Sequence, residues 1–204
     1  MDRSKTRADG FDVEYCSLGI DIRGNLPAML RLASPGHNGP VGLIWLDKFP
    51  NHGKDMIGRQ HETPGHKELF SILRDSSNPK VGVGSSLDAR NLVAWWGMTI
   101  PGYGGLVDLE DEVFCGQIDP QLNVDSLKDL CASVLQKNLP KIKEKNRVKN
   151  KAKRKAGHIV KTSHWRRDDL TKEMKIYAAA DASASIDIWL HLQQQLEVDG
   201  DSER

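Results

Sequence analysis

The order of strand-type and helix-type segments constrains the fold of this chain more than any other feature. Short apolar runs bounded by turn residues predict strands at residues 10–16, 26–34, 40–49, 78–84 and 105–114. Amphipathic patterns predict helices at residues 63–75, 86–97, 123–139 and 168–196, with a break expected near the middle of the last one. Three strands followed by alternating helices and strands are typical of a mixed sheet with helices packed on it. We therefore expect an α/β fold.

The length and the cysteines favour one soluble intracellular domain. The chain has 204 residues, 38% of them hydrophobic, which is enough for one core of ordinary size. Its cysteines, Cys16, Cys115 and Cys131, are scattered and odd in number, so they indicate neither a disulfide framework nor a zinc site. There is no 18-residue apolar run and no apolar segment typical of a signal peptide, so no membrane contact is expected.

One strongly basic segment interrupts a chain whose other residues are mildly acidic. Residues 141–155 contain nine lysines and arginines against one glutamate, whereas the whole chain has a net charge of +1. Such a run can be a solvated loop, a contact for a polyanion or a nuclear-import signal, because each requires only exposed cations. The nucleus is therefore the expected location.

Two acids lie close together on the first predicted strand. Asp12 and Glu14 are two residues apart, so their side chains point to the same face of the strand. Like charges at this distance repel unless a cation lies between them. On an exposed edge they would be solvated acids, whereas on a central strand a divalent metal becomes the natural partner.

Two further acids occupy positions with ordinary structural explanations of their own. Asp88 follows a short apolar strand at the entry to a helix, where an acid interacts favourably with the helix dipole. Tyr177 and Asp181 are four residues apart on a predicted helix, which brings their Cβ atoms to about 5–6 Å on one face. Small residues around them leave that face open. Neither site identifies a function by itself.

Together these segments resemble a known enzyme family. "GFDVEY", "VGVGSSLDARNL" and "YAAADAS" resemble, in order, the three motifs of the DEDD 3′–5′ exonucleases, in the tyrosine-containing subgroup DEDDy. The chain looks most similar to Werner-type exonuclease domains and, more distantly, to ribonuclease D, over about residues 10–195. The resemblance implies a ribonuclease H-like fold, a mixed sheet of five or six strands flanked by helices on both faces.

The same resemblance implies a domain organisation. Residues 10–196 would form the exonuclease domain, with a basic insertion at 140–161. Residues 1–9 would be an N-terminal extension, and residues 197–204 would be a frayed polar tail.

The resemblance also implies metal-dependent hydrolysis of nucleic acid. Asp12, Glu14 and Asp181 would hold the metal nearest the attacking water, Asp12 would bridge to a second ion, and Asp88 would contribute mostly through water. Tyr177 would orient the water that attacks the last phosphodiester. Two Mg²⁺ or Mn²⁺ ions are the implied cofactors. The implied products are nucleoside 5′-monophosphates released from DNA or RNA 3′ ends.

Departures from the family pattern support a second hypothesis. The first strand lacks an apolar lead-in, which predicts a weak strand, and Ser183 stands where relatives often have an aromatic residue. A nucleic-acid-binding or scaffolding module with little catalysis would fit these features. The oligomeric state is open, and a helicase is a candidate protein partner.

Some tryptophans are predicted to lie in the core, whereas another tryptophan and several basic residues are candidates for contact with nucleic acid. Trp95, Trp96 and Trp189 fall in helical apolar patterns and are predicted to be core residues. Trp165 could either stack on a base or fix its loop. The candidate contacts to nucleic acid are Trp165, Arg166, Lys151, Lys153, Arg154 and Lys155.

Overall fold

The computed structural model of the chain describes the parts that form the sheet, its helices and the predicted acidic site. The described residues are 8–16, 26–35, 39–46, 64–96, 100, 105–111, 126–139, 165 and 170–202. The predicted basic insertion at 140–161 lies outside them, as do Arg166 and most of the predicted N-terminal extension.

Five strands form one mixed sheet. The strands are β1 (Asp9–Cys16), β2 (Leu26–Ala33), β3 (Val41–Trp45), β4 (Lys80–Gly82) and β5 (Leu106–Asp108). Their spatial order is β3-β2-β1-β4-β5. The pairs β1–β2 and β2–β3 are antiparallel, whereas β1–β4 and β4–β5 are parallel. Every predicted strand is present, and the predicted mixed sheet is confirmed.

The first strand is central and buried, although the sequence suggested a weak one. β1 is paired on both edges, and the side chains of Phe11 and Val13 are 0% and 5% exposed. Polar contacts hold its beginning in place of an apolar lead-in. Asn78 Nδ2 donates to Asp9 Oδ2 at 2.7 Å, and the buried Lys80 ammonium lies 3.5 Å from the same oxygen.

The four described helices fall where helices were predicted, but the third ends at Val134 whereas the prediction continued to residue 139. They are α1 (Pro64–Arg74), α2 (Ser85–Trp96), α3 (Leu127–Val134) and α4 (Lys172–Ser202). α4 packs across the sheet, and α3 packs on α4. Among the described residues, no helix has both the length and the hydropathy needed to cross a bilayer.

The last helix differs from the prediction in two respects. It continues without the expected break, and it extends to Ser202 through most of the tail that was expected to be frayed. Ala178 and Ala182 are fully buried, one turn apart, where α4 meets the sheet. Tertiary packing supplies most of the stability of a helix, so a buried small-residue stripe supports continuity despite its serines. Trp189 is 4% exposed in the core, as predicted, whereas the side chains of Trp95 and Trp96 lie outside the described part of α2.

Candidate active site

Three of the predicted acids meet where α4 crosses β1. Asp12 and Glu14 point from the same face of β1, and Asp181 lies opposite them on α4. One carboxylate oxygen from each residue lies within 4.8 Å of the other two. Asp181 is 6% exposed, and the two strand acids are half-buried. The fold therefore brings together acids that are far apart in sequence, as the resemblance to the exonuclease motifs implied.

A glycine on β1 permits this close approach. A Cβ atom at Gly10 would overlap the backbone carbonyl of Ala182, the residue that follows Asp181. Glycine lets the helix backbone lie directly against the strand, which a larger residue would prevent. Gly10 thus sets the distance between the strand that carries Asp12 and the helix that carries Asp181.

The guanidinium of Arg31 lies among the three carboxylates. Arg31 lies on β2 directly opposite Asp12 and is 2% exposed. Its Nη2 atom donates to Glu14 Oε1 at 2.8 Å and pairs with Asp12 Oδ2, and its Nη1 atom donates to Asp181 Oδ2 at 3.0 Å. Sequence reasoning missed this residue. The available signal was one cation within the otherwise apolar run "LPAMLRLA".

Two aromatic rings flank the guanidinium. The Cζ atom of Arg31 is 5.8 Å from the ring centroid of Tyr177 and 5.9 Å from that of Trp165. The two rings are 6.4 Å apart with an interplanar angle of 34°. Distances within about 6 Å allow a cation–π attraction. Trp165 is 8% exposed and belongs to the core, which favours its structural role over base stacking.

Asp88 lies in the first turn of α2 and has a separate partner. Its Oδ1 atom accepts a hydrogen bond of 2.5 Å from the Tyr15 hydroxyl, and Asn91 Nδ2 donates to that hydroxyl at 3.0 Å. Asp88 is 7% exposed. In the described part of the chain, the group of acids able to share one ion contains Asp12, Glu14 and Asp181 but not Asp88.

The start of α2 is fixed by an aspartate at the end of β5. Asp108 accepts hydrogen bonds from the amides of Gly84 at 3.0 Å and Ser86 at 2.9 Å. Gly84 has a positive φ of 68°, a conformation that glycine adopts without strain. These bonds satisfy amide groups that a helix start leaves unpaired, and they hold Asp88 at the edge of the site. Sequence reasoning missed Asp108 as well.

Burial raises the pKa values of three acids of the site. Burial, followed by the charges of Asp181 and Asp88, raises the pKa of Glu14 from 4.5 to about 8, although Arg31 donates to it. Burial also raises the pKa of Asp88 to about 6, and it raises the pKa of Asp181 above its ordinary value. Buried carboxylates in this state are stabilised by added positive charge.

Tyr177 remains protonated at neutral pH. Burial, followed by the charge of Asp181 and a hydrogen bond to it, raises the pKa of Tyr177 to about 12. Its hydroxyl therefore keeps its proton and donates a hydrogen bond to Asp181.

The residues present fit a divalent cation of the Mg²⁺ or Mn²⁺ class. These ions take hard oxygen ligands, and few carboxylates suffice to hold them. The triad of Asp12, Glu14 and Asp181 offers such oxygens from two rigid elements. Among the described residues, Arg31 contacts oxygens of the same carboxylates and opposes the fit.

Several predicted contact residues cannot be placed against this site. Arg166 and the lysines and arginine predicted to contact nucleic acid, Lys151, Lys153, Arg154 and Lys155, lie outside the described residues. Ser183 is half-buried on α4.

Comparison with protein families decides the class of the chain. A model of the 3′-5′ exonuclease family matches residues 41–197, well over half of the sequence. This chain belongs to the 3′–5′ exonuclease family. The match confirms the predicted enzyme class, a 3′–5′ exonuclease domain of the hydrolases, and contains Asp88, Tyr177 and Asp181. It begins after β1 and β2, so the placement of Asp12, Glu14 and Arg31 rests on the geometry described above.

The relatives of this exonuclease domain are larger proteins. Exonuclease 3′-5′ domain-containing protein 2 of Homo sapiens is 30% identical over 183 residues, which cover 90% of this chain and 24% of that protein. The corresponding protein of Mus musculus is 28% identical over 183 residues, which cover 90% of this chain and 23% of that protein. The chain thus spans about a quarter of the length of these curated relatives.

A solved structure supports the fold. NrnC of Brucella melitensis aligns with a TM-score of 0.60 at 19% identity, over 98% of this chain and 78% of that chain. Its structure bound to pGG aligns with a TM-score of 0.61 at 20% identity, over 98% of this chain and 78% of that chain. Together with the mixed five-stranded sheet, this likeness confirms the predicted ribonuclease H-like fold.

Proposed function

We propose that this domain is a metal-dependent 3′–5′ exonuclease whose triad of Asp12, Glu14 and Asp181 holds a divalent cation. The observation that carries the proposal is the convergence of three carboxylates within 4.8 Å, contributed by a central strand and a helix of an exonuclease-family domain. The raised pKa values of Glu14 and Asp181 agree with it, because such a site favours an added cation.

Each side chain then has a distinct task. When bound, a pair of Mg²⁺ or Mn²⁺ ions would supply an activated water and charge stabilisation for the leaving 3′ oxygen. Asp12, Glu14 and Asp181 would hold the ion nearest the water, with Asp12 shared between the two ions and Asp88 acting mostly through water. Tyr177 would hydrogen-bond to the attacking water and orient it through its hydroxyl, which lies beside Asp181 and stays protonated. The products would be nucleoside 5′-monophosphates.

The proposed substrate is a nucleic acid with a free 3′ end, either DNA or RNA. The basic segment at 141–155 would follow the phosphate backbone, because its nine cations give strong attraction to polyanions. We include a helicase as a proposed partner and the nucleus as the proposed location. Deletion of residues 141–155 from a tagged protein should move the protein to the cytoplasm. If the deleted protein stays in the nucleus, these residues are not its nuclear-import signal.

The proposal is tested by removing both strand acids. The doubly substituted Asp12→Asn, Glu14→Gln protein should fold, as judged by its circular dichroism, and should no longer shorten 5′-labelled oligonucleotides in Mg²⁺ or Mn²⁺. Retention of most of the wild-type rate would refute the assignment of these residues.

One observation favours a second function, a nucleic-acid-binding module with little catalysis. Arg31 already provides positive charge to all three carboxylates, which reduces the need for a metal. Metal-dependent stabilisation separates the two functions. An exonuclease should show a higher unfolding temperature with Mn²⁺ than with EDTA, whereas a binding module should show the same temperature in both and should still retain oligonucleotides.

A further inference from the structure

Arg31 belongs to the site and is not a surface side chain that happens to reach it. Its register on β2 is fixed opposite Asp12, and the flanking residues Leu30 and Leu32 pair with β1 at the neighbouring positions. Its guanidinium also donates to the carbonyl of Ala178 at 3.3 Å. A buried arginine with four oxygen partners is held in one geometry by the fold.

The guanidinium occupies the space among the same three carboxylates that a metal ion would use. Nη1 and Nη2 contact one oxygen of each triad acid. A Mg²⁺-sized ion approaches its ligands to about 2.0–2.1 Å, so it would have to share these carboxylates with the hydrogen bonds from Arg31. An ion placed among these carboxylates would also be repelled by a cation in contact with the same groups.

The attachment of Arg31 is incomplete on one side. Its Nε atom is buried and has no hydrogen-bond partner among the described residues. A buried donor without a partner is costly. The contacts with the carboxylates therefore favour the observed position of the guanidinium, whereas the lost hydration of Nε opposes it. The energy needed to release the guanidinium is lowered by this deficit.

We propose that Arg31 is an internal counter-ion that competes with the divalent cation for Asp12, Glu14 and Asp181. In the absence of metal it holds the three acids together, and metal binds only as the guanidinium gives up its contacts with them. This inference rests on the proposed function, because it concerns the affinity of the metal site.

The competition is tested with two substitutions at one position. Arg31→Gln removes the charge and keeps hydrogen-bonding capacity, whereas Arg31→Lys keeps the charge and serves as the matched control. Calorimetric titration of each purified protein with Mn²⁺ should show at least about tenfold tighter binding for Arg31→Gln than for wild type. Arg31→Lys keeps the positive charge, so it should bind Mn²⁺ more weakly than Arg31→Gln. Equal or weaker Mn²⁺ binding by a folded Arg31→Gln protein would overturn the proposal.

A second measurement does not depend on the folding of a variant. In wild-type protein, addition of diamagnetic Mg²⁺ should shift the NMR resonance of the Arg31 Nε–H group, because the guanidinium leaves the carboxylates. An unchanged resonance at saturating Mg²⁺ would contradict the competition.

Asp181→Asn distinguishes failure of this inference from failure of the proposed function. If wild type binds Mn²⁺ as tightly as Arg31→Gln, and Asp181→Asn abolishes both binding and digestion, the metal site stands and the role of Arg31 is wrong. If neither wild type nor Arg31→Gln binds Mn²⁺, the inference and the proposed metal-dependent function both fail.

Discussion

Tyr15 donates a hydrogen bond of 2.5 Å to Asp88 and so joins the end of the acid-bearing strand to the first turn of α2. The register of β1 with β2 shifts between Glu14 and Tyr15, which marks an irregularity at this point of the strand. Bulges of this kind often redirect a side chain next to an active site. The contact ties Asp88 to the strand that carries two triad acids, although Asp88 itself lies outside the triad.

Loss of this hydrogen bond should alter the pH dependence of the enzyme. Burial raises the pKa of Asp88 to about 6 even though the bond from Tyr15 lowers it, so Tyr15→Phe should raise that pKa further. We expect Tyr15→Phe to lose activity several-fold near pH 6 and much less above about pH 8, since one pKa unit changes the ionised fraction by up to about tenfold. The measurement is the rate of digestion as a function of pH.

Asn91→Ala is the control for this prediction. It removes the amide that contacts the Tyr15 hydroxyl but keeps the bond to Asp88, so its profile should lie closer to wild type. Superimposable profiles of rate against pH for Tyr15→Phe and wild type would show that the hydrogen bond does not set the pKa of Asp88.

Without metal, the stability of the domain should fall as the pH rises. The folded chain holds the pKa of Glu14 at about 8, above its ordinary value of 4.5, so the folded state binds a proton that the unfolded state releases. The stability that this proton contributes is fully present when the pH is below the ordinary pKa of 4.5. It is lost as the pH rises through about 8. We expect the free energy of unfolding in urea and EDTA to fall by more than about 1 kcal/mol between about pH 5 and about pH 8.5.

Glu14→Gln isolates the contribution of this residue. Glutamine does not titrate, so the variant should show a shallower decrease over the same range. The remaining slope comes from Asp88 and Asp181, whose pKa values are raised in the same direction. An identical slope in the two proteins would mean that Glu14 does not carry the effect.

The close approach of α4 to β1 should be sensitive to one methyl group. Gly10→Ala places a Cβ atom against the carbonyl of Ala182, so either the helix or the strand must move. We expect a loss of about 1–3 kcal/mol in the free energy of unfolding, typical of overpacking, and a lower rate because Asp181 moves with the helix. Unfolding in urea measures the first effect and digestion the second.

Gly42→Ala is the matched control on the same sheet. Among the described residues, its Cβ atom would meet the carbonyl oxygen of Leu32 at 3.8 Å, an ordinary contact. It should be close to wild type in both measurements. Equal stability and rate for Gly10→Ala and Gly42→Ala would show that the approach at Gly10 does not position Asp181.

The sequence predicts the parts of this structure that depend on local pattern. The strands and helices follow from apolar periodicity, and the resemblance of the acidic motifs to those of the DEDD exonucleases implies that these distant acids meet in one site. Arg31 could not be assigned in this way, because its place among the acids depends on the register of β1 with β2. Asp108 is similar: it binds amides 22 and 24 positions earlier, which only the parallel pairing of β4 and β5 brings near.

The continuity of α4 could not be predicted from the local sequence pattern either. Its central segment mixes alanine with serine, which weakens helix propensity. Burial of Ala178 and Ala182 against the sheet supplies the stability that the segment lacks alone. A sequence pattern contains no measure of that packing.

The most direct test of the central claim is digestion of 5′-labelled DNA and RNA oligonucleotides by wild type, Asp181→Asn and Asp187→Asn with Mn²⁺ or Mg²⁺. Asp187 lies on the same helix and outside the triad, so it controls for a lost charge on α4. The account predicts a ladder that shortens from the 3′ end with wild type and Asp187→Asn and disappears with Asp181→Asn. A ladder of equal intensity with Asp181→Asn, or no ladder with wild type in either metal, would contradict it.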